Sequence, residues 1–188
     1  MDLEKWIADS QIQLEDIPQL DLYMDQVIQL FENTYSSAKR NEDEKILTKT
    51  MINNYAKGKV FFPVKNKKYS KEHLILIALI YQLKGALSIS DIKTSLSVIN
   101  EQTAHGDFDL EHFYQLYLDL CKINLESFRE ELQSQSKRVE DEAKGLNETA
   151  SVKAEKVLLL TSLVHMSNLY RKAAERLVDE IIDESNQK

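Results

Sequence analysis

The chain contains little glycine, proline or cysteine: four glycines, two prolines and one cysteine in 188 residues. Strands need frequent turns, and turns rely on glycine and proline, so this scarcity favours long helices. The single cysteine, Cys121, excludes an internal disulfide and argues against a cysteine-based metal cage. Because 43% of the residues are hydrophobic, the chain can bury a core and is expected to fold rather than to stay disordered.

The sequence also lacks the long apolar run that a membrane span requires. The longest such run, Leu74 to Tyr81, has eight residues, whereas a spanning helix needs about 20. No basic region followed by an apolar stretch is visible at the start, as a secretory signal would need. We therefore expect a soluble, cytoplasmic protein with no membrane partner.

Motifs for catalysis and metal binding are missing as well. The sequence has no Gly-rich phosphate loop, no nucleophile elbow and no His-centred triad. His73, His105 and His112 lack the partner spacing of a metal site. A thiol or metal sensor built on Cys121, His165 and Met166 is disfavoured because these residues are far apart or lie at the spacing of a helical core. We expect neither an enzyme nor a bound cofactor or metal.

Positive charge, by contrast, is concentrated in one part of the chain. Residues 1–44 carry a net charge of −8, residues 45–71 carry +8 with no acidic residue, and residues 72–188 carry −7. The positive residues of the middle window are Lys45, Lys49, Lys57, Lys59, Lys65, Lys67, Lys68 and Lys71. Solvated helix faces normally mix both signs, so a one-sign window in an acidic chain favours an anion-binding surface. A polyanion would gain binding free energy there by releasing condensed counterions.

Apolar spacing predicts a mainly helical head that follows an acidic, loosely attached N-terminal tail or helix over residues 1–16. The predicted elements are a helix from Gln19 to Tyr35, a short helix capped by Thr48 and ended by Gly58, a strongly apolar helix from Leu74 to Lys84 capped by Ser70, and a short helix from Ser88 to about Ile99. The segment Val60–Val64 and the basic residues Lys65–Lys68 are typical of a short extended segment that turns through a tip, a small wing. Phe61 and Phe62 are expected to pin this wing to the core.

Two longer amphipathic segments follow, Leu110–Lys144 and Ser151–Ile182, with Gly145 between them. Joined by a short turn, they would form an antiparallel helical hairpin. The predicted fold class is all-α with at most a tiny two-stranded wing. We expect a winged helix-turn-helix DNA-binding domain over residues 17–104 and a helical dimerisation or effector region over residues 105–188.

The helix after Thr48 carries the side chains that DNA reading requires. An asparagine amide can bond N6 and N7 of adenine together, and lysine donates to guanine or to phosphate. Lysines of a wing neutralise flanking phosphates without reading sequence. The residues predicted to contact double-stranded DNA are Thr48, Lys49, Thr50, Asn53, Asn54, Tyr55, Lys57, Lys65, Lys67, Lys68 and Tyr69. Two alternatives stay open: the asparagines and Lys49 as ordinary polar surface, and the two tyrosines as packing residues.

These residues resemble the head of the MerR regulators. The resemblance is carried by Leu47-Thr48-Lys49-Thr50-Met51-Ile52-Asn53-Asn54-Tyr55, by Phe62-Pro63-Val64-Lys65 and by Lys68-Tyr69-Ser70-Lys71-Glu72-His73-Leu74. That family has a Thr-Leu-Arg-Tyr-Tyr recognition helix, a Gly-Leu-Leu-x-Pro step, an Arg-rich wing closed by Tyr-Ser, and a helix leading to Gly-Phe-Ser-Leu-x-x-Ile. The last motif appears here as Gly85-Ala86-Leu87-Ser88-Ile89-Ser90-Asp91-Ile92. From Ile17 to about Leu96 the chain also resembles an uncharacterised bacterial family known only as a domain of unknown function with a MerR-like head.

The chain departs from the MerR pattern at the residues that would read bases. Asn53 stands where that family has its arginine, Asn54 stands where it has its first tyrosine, and the wing is shorter, with lysine in place of arginine. The resemblance implies that the head docks on DNA as a winged helix-turn-helix, with a half-site sequence of its own. By analogy, it also implies that the helical region forms an antiparallel homodimer. The residues expected at that interface are Phe113, Leu116, Tyr117, Leu120, Leu163, Met166 and Tyr170.

Two functions are therefore compatible with the sequence. The first is a dimeric transcription regulator on a two-fold operator, with half-sites about 34 Å or a multiple of that distance apart. A small-molecule effector could bind its helical region, but the sequence does not identify one. The second is a helical interaction or adaptor protein whose lysine window meets an acidic protein surface. The two differ in whether the protein binds a DNA duplex.

Overall fold

The computed structural model describes residues 11–144 and 151–186, which form six α-helices and one pair of two-residue strands. In chain order the elements are β1 (Leu22–Tyr23), α1 (Met24–Tyr35), α2 (Lys49–Lys57), β2 (Lys68–Tyr69), α3 (Lys71–Leu83), α4 (Ile89–His105), α5 (Leu110–Ala143) and α6 (Ser151–Asn186). The predicted fold class, all-α with a minimal sheet, is confirmed. The predicted turn at Gly145 lies outside the described residues.

Helix α1 begins later than its apolar spacing predicted. The predicted start at Gln19 is wrong because β1 pairs antiparallel with β2, placing Leu22 opposite Tyr69 and Tyr23 opposite Lys68. Residues held in a strand ladder are extended and cannot also form a helical turn. Leu20, which the apolar spacing of the predicted helix would place on its buried face, is consequently 80% exposed.

The predicted wing is present, but its strand partner is not the one expected. The tip is a two-residue turn in which Asn66 and Lys67 adopt φ of 53° and 59°. The backbone N–H of Lys68 donates to the carbonyl of Lys65 at 2.9 Å. Two successive left-handed residues define a type I′ turn, which matches the twist of paired strands. Lys65 and Lys68 form one isolated bridge across the turn. Apart from this bridge, β2, the strand that follows the turn, pairs with β1 and not with the segment before the turn. We call residues 65–69 the basic hairpin.

Helix α3 lies at the centre of the core, as predicted. Its residues from His73 to Ile80 are all buried, because other elements pack around every side of the helix. The same core continues into the first turns of α5 through Leu110, Tyr114 and Leu118. The head therefore extends past its predicted boundary at residue 104.

The described end of the N-terminal segment is firmly attached to this core. Ile12 and Ile17 are buried, and the Tyr114 hydroxyl donates to the Ile12 carbonyl at 2.9 Å. The prediction of a loosely attached tail is thus wrong for residues 11–16. Burial of an isoleucine side chain contributes roughly 2 kcal/mol to stability, so these two residues favour attachment of the segment to the core.

Helix α4 extends six residues past its predicted end near Ile99 and stops at Gly106. Gly106 adopts a left-handed φ of 81°, and its N–H donates to the last turn of the helix. A glycine in this conformation is the usual helix stop. Helix α4 also packs against α6.

The two long helices form the predicted antiparallel pair. Ser162 of α6 donates to Gln135 of α5 at 3.2 Å, and Tyr170, further along α6, lines the same cavity as Asn124 and Phe128, which come earlier in α5. Later residues of α6 therefore face earlier residues of α5, so the two helices are antiparallel. None of the described helices combines the length and apolar content needed to cross a membrane.

Candidate nucleic-acid interface

Helix α2 exposes one polar face and buries the other. Thr48 caps the helix by accepting a hydrogen bond from the Met51 N–H at 3.1 Å, as predicted. Ile52 and Tyr55 are buried against the core. The opposite face, exposed to solvent, consists of Lys49, Thr50, Asn53, Asn54 and Lys57.

Helix α2 ends in a tight turn whose left-handed residue comes one position after Gly58. Gly58 is the predicted C-cap, but it has an ordinary φ of −70°. A Cβ at Gly58 would lie 3.1 Å from the Asn54 carbonyl oxygen, so close packing favours glycine there. The left-handed position is taken by Lys59, with φ of 54°. The Val60 N–H donates to the Tyr55 carbonyl at 3.0 Å, completing a Schellman end with lysine where glycine is usual.

The first turn of α1 holds α2 and the basic hairpin side by side. The Asp25 carboxylate lies 2.7 Å from the Lys49 ammonium at the start of α2. Two residues earlier, the Tyr23 ring lies 5.3 Å below the Lys68 ammonium, a cation–π distance. Because these contacts are only two residues apart, the start of α2 and the hairpin lie at the same end of α1. The polar helix face and the basic tip therefore lie next to each other on the protein surface.

Most lysines of the basic window are available to an external anion. Within the described residues, Lys49 pairs with Asp25 and Lys71 pairs with Glu111, both at 2.7 Å. The other six lysines of the window form no ion pair in that part of the chain. Surface cations without partners repel one another, and this repulsion is relieved when a polyanion binds.

Tyr55 and Tyr69 do not belong to this surface. Their exposed fractions are 4% and 3%, and burial raises the pKa of both phenols. Both tyrosines were predicted to contact DNA, with a packing role as the alternative. Their burial supports the packing role, because each ring fills the core beneath the polar surface. The residues that the sequence missed are Asn66, whose left-handed conformation shapes the tip, and Asp25, which forms an ion pair with Lys49.

An aromatic cluster fixes the hairpin to α3. Phe61, 3% exposed, meets Tyr69 and His73 edge-on at centroid distances of 6.2 and 5.8 Å. Phe62 lies 4.0 Å from the His73 ring. The predicted pinning role of the two phenylalanines agrees with these contacts.

His73 is a neutral connecting group in this cluster. Its Nε2 lies 3.1 Å from the Phe62 carbonyl oxygen, which can only accept, so Nε2 carries the proton. Its Nδ1 accepts from the Ser70 backbone N–H at 3.1 Å. Burial lowers the pKa of His73, although the Phe62 carbonyl and the nearby Glu72 and Asp21 oppose the shift. The ring thus joins the residues before the hairpin to the first turn of α3.

The residues predicted for dimerisation occupy three different environments. Phe113 and Tyr117 pack against the core of the head. Leu163 and Met166 line a cavity of about 720 Å³ between α5 and α6. Of the predicted residues, Leu116, Leu120 and Tyr170 are exposed. Ile123 and Phe128, which the sequence analysis did not select, are exposed as well.

Within residues 11–144 and 151–186, no group of three or more His, Cys, Asp or Glu side chains could hold a metal ion.

The structure thus defines a mostly helical protein in which lysines of the basic window lie on a short helix, α2, and on the adjoining basic hairpin. The chain belongs to the family described as Domain of unknown function (DUF1836), whose model matches residues 12–117. The matched region runs almost as far as the hydrophobic core of the head, from Ile12 to Leu118. No curated protein and no solved structure matches the chain.

Proposed function

We propose that this protein is a sequence-specific double-stranded DNA-binding regulator of transcription, acting as a homodimer on a two-fold operator. The proposal rests on two contacts at the start of α1, one between Asp25 and Lys49 and one between Tyr23 and Lys68. These contacts hold the polar face of α2 beside the lysine-rich tip of the hairpin. The resemblance to the MerR head supports the same reading by analogy. Such a regulator would act in the cytoplasm, where bacterial DNA lies.

The exposed side chains of α2 fit the role of base readers. Asn53 lies between Lys49 and Lys57 at steps of four residues, so the three share one face of the helix. An asparagine amide bonds the major-groove edge of adenine in two places, and lysine donates to guanine O6 or N7. The hairpin lysines would contact phosphates beside that groove and fix the position of the helix.

The long helices supply a surface for the second copy. Twelve of the sixteen large hydrophobic residues that are exposed in the described chain lie on α5 or α6, so the apolar surface is concentrated outside the head. Leu116, Leu120 and Ile123 follow steps of four and three residues, which places them on one face of α5. A contiguous apolar face of this kind usually marks an interface. A second copy would cover it and bring two heads to one operator.

Duplex binding as a function of salt tests this function. We expect a labelled mixed-sequence duplex of about 30 base pairs, long enough for two half-sites, to raise its fluorescence anisotropy on binding. If a dimer neutralises about eight phosphates, log affinity should fall with log salt with a slope near −7 between about 50 and 200 mM. No binding at the lowest salt would contradict the proposal and favour the adaptor function, in which the lysines meet an acidic protein.

A further inference from the structure

A cavity of about 680 Å³ lies between α4 and the segment that joins α2 to the basic hairpin. One wall is aromatic and aliphatic, formed by Phe61, Phe62 and Val64. The opposite wall is the side of α4 that carries Asn100 and Ala104. A volume of this size suits a small molecule, because ligand pockets typically span about 300–1,000 Å³.

The charges around this cavity favour an anion. Two lysines, Lys59 and Lys93, line it against a single carboxylate, Glu101. Neither lysine forms an ion pair with a residue in the described ranges. Lys59 is also held in a left-handed conformation, which costs a non-glycine residue on the order of 1 kcal/mol.

Asn100 also lines the cavity, but its Oδ1 is buried and out of reach of a ligand seated there. The aromatic wall and the excess of lysines over carboxylates together favour a flat apolar anion.

We propose that this cavity binds a small aromatic anion and that the bound molecule changes the affinity of the protein for DNA. Ala56 and Lys59 end α2, and Phe61 and Phe62 lead into the hairpin, so a ligand seated there contacts both halves of the DNA surface. Ligand binding would fix the angle between them. The regulatory half of this inference rests on the proposed function; the binding half does not.

The binding half is tested with 8-anilinonaphthalene-1-sulfonate, an aromatic sulfonate whose fluorescence rises in apolar surroundings. We expect saturable binding of one molecule per chain in the absence of DNA. Ala104→Trp, which fills the cavity from an exposed position on α4, should abolish it. Lys59→Glu combined with Lys93→Glu should weaken it at least about tenfold, as loss of charge-assisted contacts predicts.

A matched control separates the cavity from the apolar surface of the long helices. Leu177→Gln removes an exposed apolar side chain of α6 and should leave the titration unchanged. Circular dichroism would verify that each variant is folded. If Leu177→Gln lowers the fluorescence while Ala104→Trp and the double lysine variant do not, the dye binds the long helices and the proposed site is wrong.

The regulatory half is tested by repeating the duplex titration with the dye at saturation. We expect the dissociation constant for DNA to change at least about fivefold, the lower end of typical allosteric coupling, and the change to be absent in Ala104→Trp. An unchanged constant would overturn the regulation while leaving the site in place. Absence of duplex binding in both conditions would overturn the proposed function together with the regulation, and the dye titration would still decide the site.

Discussion

Replacing Lys65, Lys67 and Lys68 together by glutamate is expected to lower duplex affinity by at least about 10³-fold near 100 mM salt. The three residues are the lysines of the basic hairpin, and each substitution turns a cation that attracts phosphate into an anion that repels it. The slope of log affinity against log salt should become less steep by about 0.9 for each lost phosphate contact. The anisotropy titration measures both quantities.

The long helices offer a control with the same change in net charge. Lys137, Lys153 and Lys156 are exposed there, and their joint replacement by glutamate also makes each chain more negative by six units. We expect this variant to lose less than about tenfold in affinity, because charges beyond a Debye length of about 10 Å are largely screened. An equal loss in both variants would mean that overall charge, and not the hairpin, governs binding.

Phe61→Ala is expected to lower the free energy of unfolding by about 3–5 kcal/mol, as for other buried phenylalanines. The ring is almost fully buried and meets both Tyr69 and His73. Its removal leaves a cavity at the point where the hairpin joins α3. Urea denaturation followed by circular dichroism measures the change.

Leu20→Ala is the matched control for this stability prediction. Leu20 is 80% exposed, so its truncation should change the free energy of unfolding by less than about 0.5 kcal/mol. The apolar pattern of the sequence would instead assign Leu20 to the core. A loss above about 2 kcal/mol at Leu20, or a loss below about 1 kcal/mol at Phe61, would contradict the packing described for the head.

Local signals in the sequence were sufficient to predict most helices. Thr48 at the cap of α2, Ser88 at the cap of α4 and the apolar run of α3 each act within a few residues of the chain. The lysine window is likewise a property of neighbouring residues. These features therefore appear in the sequence without knowledge of the tertiary structure.

Features that depend on distant pairing could not be predicted in this way. β1 has only two residues, too few for an alternating pattern, and its partner lies 46 residues later. The late start of α1 and the exposure of Leu20 follow from that pairing. The burial of Tyr55 and Tyr69 likewise depends on which elements pack above them, and a tyrosine has no local signal that separates surface from core.

The cavity beside α4 is also a product of tertiary structure. Lys59 and Lys93 are separated by 34 positions in the sequence, and Asn100 is a polar residue of an ordinary amphipathic helix. Only the path of the chain after α2 brings them to one space. The left-handed conformation of Lys59 could not be predicted, because the neighbouring Gly58 is the residue type usually found in that conformation at a helix end.

Sequence-specific DNA binding is tested most directly by capturing genome fragments on the purified protein at about 100–150 mM salt, within the range where specific contacts outlast non-specific ones, and sequencing what is retained. We predict recovery of one or a few discrete inverted repeats, with half-sites about one DNA turn or a multiple apart. Recovery should be abolished by Lys49→Ala combined with Asn53→Ala. Diffuse or absent recovery, or repeats that the double variant still captures, would contradict a regulator that reads bases through α2.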